Sequence, residues 1–180
     1  MPVIGNGDIL TWYEAEDLQK QSGCASLMLG RGALIKPWLF QEIAEQREIE
    51  PLAEERVAIY MRFMSFLKEH FRDDDKGRKR TMFFLPWHMG LFCRYRPLPS
   101  AEFREQSREH PLMQTRLPED GNLTVLEQLL RDPREEVHKL LADALWDAAG
   151  DDDAIARFLE IAAKHPPMAG PAEEVATAHG

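Results

Sequence analysis

Pro2-Val3-Ile4-Gly5-Asn6-Gly7-Asp8 and, one helix-length later, Ala25-Ser26-Leu27-Met28-Leu29-Gly30-Arg31-Gly32-Ala33 decide how this chain is read. Each is a short apolar run that stops at a glycine-rich turn, the pattern of a strand entering a βα loop. Between them, Thr11 is suited to cap a helix through Tyr13, Ala15, Leu18 and Gln21, and Gly23 is suited to close it. Strand, helix and strand over roughly thirty residues is the size of one βαβ unit. Both runs are continuously apolar rather than alternating, which belongs to parallel strands covered on both faces. Two strands cannot provide that cover themselves, because ordering each residue costs about 1–2 kcal/mol of chain entropy. The sequence is therefore expected to begin inside a domain, with Met1 where an ordinary strand residue would stand. A truncated product, a split gene and a mis-called start all fit that expectation.

The two turns also carry the chemistry. Glycine lets a backbone approach a ligand closely, and a following helix offers unpaired N–H groups to an anion. Arg31 adds a guanidinium whose fork geometry matches phosphate. Two such turns on adjacent parallel strands resemble the phosphate site that the last loops of a (β/α)8 barrel form at its C-terminal face.

Beyond the second turn the pattern is helical. Pro37 suits a first helical turn before Leu39, Phe40, Ile43 and Ala44, and Pro51 opens a segment whose apolar face is Val57, Tyr60, Met61, Met64, Phe66 and Leu67. Residues 73–77 are expected to be a loop. Residues 80–95 are expected to form a buried helix broken or restarted at Pro86, since an interior proline costs about 3 kcal/mol. Further helices are expected at 123–130, 135–149 and 154–164, with a loose tail over 166–180.

The chain carries a net charge of −9, yet Lys76, Arg78, Lys79, Arg80, Arg94 and Arg96 fall in a stretch with no Asp or Glu. A local basic patch of this kind can hold phosphate on an acidic molecule; a merely solvated helix face is the alternative. Cys24 and Cys93 fit buried small hydrophobes, and their spacing suits neither a disulfide framework nor zinc. His88 and His138 fit core positions, and no metal site is expected. Trp12, Trp38, Trp87 and Trp146 are expected as packing anchors, and Asp151-Asp152-Asp153 as an acidic helix N-terminus. No secretory signal or membrane span is seen, so a reducing cytoplasm is the expected setting.

Pro2–Ile9, Gly30–Leu34 and Lys36-Pro37-Trp38-Leu39-Phe40 together resemble the closing section of the tRNA-dihydrouridine synthase barrel. Phe92-Cys93-Arg94-Tyr95 with Pro97 resembles the helical domain of that family's eukaryotic-type third subfamily. The resemblance implies an α+β fragment, mostly helical: the last βαβ unit of a (β/α)8 TIM barrel, then an all-helical C-terminal domain. Its divisions would be 1–47 for the FMN-binding barrel portion, 48–165 for a helical tRNA-binding domain, and 166–180 for a flexible tail. It also implies reduction of a tRNA uridine to dihydrouridine by FMN, itself reduced by NADPH. The FMN phosphate would lie on Asn6, Gly7, Asp8, Gly30 and Arg31, and tRNA on Arg78, Lys79, Arg80, Arg94 and Arg96. The family's proton-donor cysteine would fall before residue 1, so no catalytic residue is expected here and the isolated chain should be inactive. A separate chain could supply the rest of the barrel. A non-catalytic RNA-binding or interaction remnant, and another FMN-dependent barrel oxidoreductase acting on a small molecule, stay open beside this reading.

Overall fold

In the computed structural model, residues 1–115 and 121–166 are described. The elements are β1 (Ile4–Asn6), α1 (Trp12–Ser22), β2 (Ser26–Met28), α2 (Arg31–Ile35), α3 (Leu39–Glu45), α4 (Ala53–Phe71), α5 (Asp75–Phe92), α6 (Ser100–Glu109), a 3-10 turn at Leu112–Gln114, α7 (Val125–Leu130), α8 (Glu135–Asp147) and α9 (Asp151–Lys164). Except for its first residue, Pro166, the expected tail lies outside the described residues.

The βαβ unit forms as its pattern implies. Thr11 caps α1 by accepting from the Glu14 N–H, and Gly23 ends it at φ 66°, a left-handed conformation open to glycine. β1 and β2 pair in parallel, with Ile4 opposite Ser26 and Asn6 opposite Met28. β1 takes in Gly5 and Asn6, which the sequence assigned to the turn. Its backbone bonds to β2 there, and pairing overrides the turn preference of glycine. Val3, Ile4 and Met28 are exposed, so the described residues leave the sheet uncovered on these positions.

Helices α4, α5, α7, α8 and α9 pack as a bundle, and α2 leans on α5. One buried core runs from Leu10, Tyr13, Ile35 and Trp38 into Val57, Leu85, Phe92, Leu141 and Phe158, across the expected boundary near residue 47. Trp38 stands edge-on to Tyr95 at 4.9 Å and to Phe92 at 6.0 Å, which fastens the strand–helix unit to the end of α5. The Tyr13 hydroxyl donates to the Leu98 carbonyl at 3.2 Å in the same seam. No helix among the described residues is long and apolar enough to cross a membrane.

Three expectations need correction. α5 is continuous through Pro86. Its neighbours Leu85, His88, Met89 and Phe92 are buried, and that packing outweighs the missing N–H. The loop is shorter than expected, because Asp74 accepts from the Gly77 N–H at 2.8 Å and starts α5 at Asp75. α6 was not foreseen. Only Phe103 of α6 is buried, so the helix has no apolar stripe to betray it. It is held by charge instead: Arg104 reaches Glu16 at 2.5 Å and Asp17 at 2.7 Å on α1, and Arg108 reaches Asp17 at 3.0 Å.

Arg56 on α4 is the largest fully buried side chain. Its Nη2 pairs with Glu127 of α7, which also takes Arg131 at 2.6 Å, and its guanidinium lies 4.9 Å from the centre of the Tyr95 ring. Nε and Nη1 have no hydrogen-bond partner, so Glu127 and the ring carry most of the compensation for a desolvated charge. Glu127→Ala should lower stability by about 3–5 kcal/mol in urea unfolding. A change under about 1 kcal/mol, the range of exposed pairs, would mean that this pair is solvated.

Candidate phosphate site and basic helix face

The parallel register sends both glycine turns off the same end of the β1–β2 ribbon, on strands about 4.8 Å apart. Arg31 Nη2 donates to Asp8 Oδ1 at 2.6 Å, joining the start of α2 to the turn after β1. Gln114 Nε2 donates to Asp8 Oδ2 at 2.6 Å, adding the segment after α6. The Gln114 hydrogen bond, then that of Arg31, holds the Asp8 carboxyl below the usual carboxylate range. Asn6, Gly7, Asp8, Gly30 and Arg31 thus gather at one edge, with Asn6, Gly7, Gly30 and Arg31 exposed.

The glycines differ in what they do. A Cβ on Gly32 would lie 1.9 Å from the Ile9 carbonyl oxygen, so this glycine lets α2 close onto the first turn. A Cβ on Gly30 would meet nothing within 4 Å, so open space faces that turn. Beneath the site, buried Glu14 accepts from the Leu10 N–H at 2.9 Å, the Thr11 hydroxyl at 3.0 Å and the Leu112 N–H at 2.8 Å. Burial raises its pKa despite those bonds. Sequence reasoning missed both Glu14 and Gln114. A helix-capping pattern, Thr11 three residues before Glu14, was a signal for the former; the Asp8–Gln114 bond joins residues 106 positions apart and had none.

The basic stretch does not form one patch. Arg78 and Arg94 are sixteen positions apart along and just beyond α5, about 24 Å at the helical rise. Arg78 faces α8, bonded to Asp147 at 2.8 Å and Asp143 at 2.9 Å, which raise its pKa. Arg96 donates to the Cys93 and Tyr95 carbonyls at 3.0 and 2.7 Å. Arg94 and Arg96 line a hollow of about 200 Å³ with Leu10, Ile35, Leu112, Met113 and Thr115, beside the glycine turns. Lys79 and Arg80 stay exposed on α5, Arg80 with its guanidinium 5.9 Å from the Phe71 ring centre.

The remaining candidates divide between core and surface. Burial pushes the Cys93 thiol up to about 11, and Cys24 is buried against Gly5. His88 meets the Tyr60 hydroxyl at 3.2 Å, with burial lowering its pKa, and His138 Nε2 lies 2.7 Å from the Asp132 carbonyl. Asp151–Asp153 begin α9, where Asp153 accepts from the Ala149 N–H at 2.9 Å. Trp38 and Trp146 are buried, but Trp87 is 57% exposed and is no core anchor.

A strand–helix–strand unit with parallel-paired strands is of the βαβ class. The particular family follows from comparison: a model of the dihydrouridine synthase (Dus) family matches residues 1–119, and the chain belongs to that family. A tRNA-dihydrouridine(47) synthase-like protein of Mus musculus is 44% identical over 102 residues, 57% of this chain and 16% of the mouse protein. The like-named Homo sapiens protein is 42% identical over the same lengths. The tRNA-dihydrouridine(47) synthase of Aspergillus oryzae is 33% identical over 127 residues, 71% of this chain and 17% of the fungal protein. The chain thus spans about a sixth of the length of these relatives. No solved structure matches the chain significantly.

The clasp makes a pH prediction. A carboxyl held below its ordinary range adds stability at neutral pH, which is lost as the pH falls through the folded-state value. Carboxyl NMR titration should therefore find Asp8 titrating low, and higher in Gln114→Ala or Arg31→Ala. Identical titration in all three proteins would mean that the clasp is not made in solution.

Proposed function

We propose that this chain is the C-terminal portion of a flavin-dependent tRNA-dihydrouridine synthase, its two turns holding the FMN phosphate and its helical part gripping tRNA. The observation that carries the reading is the Arg31–Asp8 bond across turns from neighbouring parallel strands. It fixes a guanidinium with unused donors where Gly30 leaves open space. Asn6 and the backbone of Gly7, Asp8 and Gly30 would complete the cradle. Bound there, FMN would supply hydride to uracil, with NADPH as its reductant.

The chain's own residues would bind and orient rather than react. Cys24 and Cys93 are both buried, and a thiol held near 11 in Cys93 suits neither a nucleophile nor a proton donor near neutral pH. Strands covering Val3, Ile4 and Met28 would come from the rest of the family's barrel, on the same or a separate polypeptide. A target base inside folded RNA must leave its stack to meet a flavin, so a second body holding the phosphate backbone makes physical sense. The acid-free cations of α5 and the Arg94–Arg96 hollow favour RNA over a small-molecule substrate. A cytoplasmic setting accords with two unpaired cysteines.

Two measurements test this. In the flavin-loaded protein, Arg31→Ala should weaken FMN retention about ten- to hundredfold, the worth of a charge-assisted hydrogen bond of about 1.5–3 kcal/mol. An unchanged flavin-to-protein ratio would remove Arg31 from the site. A polypeptide of residues 1–180 given FMN, NADPH and unmodified tRNA should form no dihydrouridine; product formation would show that a proton donor lies within these residues.

A further inference from the structure

Helical geometry aligns a second set of side chains with the cations of α5. At 100° per residue, Lys76, Lys79, Arg80, Phe83 and Trp87 fall within one stripe of about 100°. All five are exposed, Phe83 at 89% and Trp87 at 57%. Thr81, Leu85 and Met89 occupy the buried face instead. Two large aromatic rings, one turn apart, are therefore left in water by a helix that has a well-filled core side. Phe84 stands at the flank of the stripe, 5.4 Å from Trp87 between ring centres, and steadies the indole.

We propose that this face of α5 is a stacking surface for unpaired bases of an RNA strand, with Phe83 and Trp87 as the platforms. The proposal rests on the RNA partner inferred above. Charge selects the occupant: no acid occurs from Lys76 to Arg96, although the whole chain is at −9. Lys76 and Lys79 make no ion pair among the described residues, so their charges are available to phosphates. Cations followed along one face by exposed rings match a polyanion whose neutral bases carry π-faces, since stacking accepts any base while the cations track the backbone. An unstructured or unstacked segment fits better than a duplex, whose bases are covered by one another.

The test follows binding of an unmodified tRNA transcript and of single-stranded oligouridine by fluorescence anisotropy across a salt series. Phe83→Ala and Trp87→Ala should each weaken binding on the order of tenfold. Their salt slope should be unchanged, because a ring releases no counterions, whereas Lys79→Ala should reduce the slope by about one. Phe83→Trp should restore binding and Phe83→Leu should not, since an apolar side chain lacks the ring face. Both positions are exposed, and circular dichroism would establish that the variants fold. If native protein binds RNA and the alanine variants bind equally well, the stacking surface is wrong while the RNA reading stands. If Phe83→Leu binds like native, the face is a plain apolar contact, such as one for another protein, and the proposal fails. If native protein binds neither RNA, the RNA reading itself fails and takes this proposal with it.

Discussion

The proposed phosphate cradle depends on the parallel pairing of two three-residue strands. That register, Asn6 opposite Met28, makes two glycine turns leave the same end of the sheet. The Arg31–Asp8 bond then becomes possible, and Gly32 lets α2 settle against the Ile9 carbonyl. A two-stranded ribbon is marginal alone. Here α1 crosses behind it, and Glu14 and Gln114 tie its loops to the segment after α6. The site is thus braced from below by helices and left open where a phosphate would approach.

The helical body does two things. Its core, with Arg56 pinned between Glu127 and Tyr95, continues into the strand–helix unit through Trp38 and Tyr13, so both parts are held in fixed relation. It also presents α5 as a continuous helix of about 27 Å. The cations near its start and those just past its end lie on different neighbours. Arg94 and Arg96 come to the hollow beside the glycine turns, whereas Lys79 and Arg80 lie on the exposed aromatic stripe. A long polyanion could touch both ends of this helix, and a small phosphate ligand could touch only one.

Much of the local structure was legible because it is written in near neighbours. Thr11 and Gly23 bound α1, apolar runs mark both strands, and the regular spacing of Val57, Tyr60 and Met64 marks α4. The resemblance to dihydrouridine synthases, carried by Pro2–Ile9 and Gly30–Phe40, pointed to the family that comparison bears out. What could not be read depends on distant partners. α6 has almost no apolar face and is held by acids on α1. Pro86 remains helical because packing around it outweighs one lost hydrogen bond. Arg78 looked like a free cation until α8 brought Asp143 and Asp147 beside it. Trp87 looked like an anchor because its spacing alone cannot say which face of α5 is buried.

Amide NMR of the protein during titration with FMN tests the central claim most directly. The account expects the largest shifts at Gly7, Asp8, Gly30, Arg31 and Gly32, as one cluster saturating together. Shifts confined to one turn, or centred elsewhere on the molecule, would contradict a shared cradle built by β1 and β2.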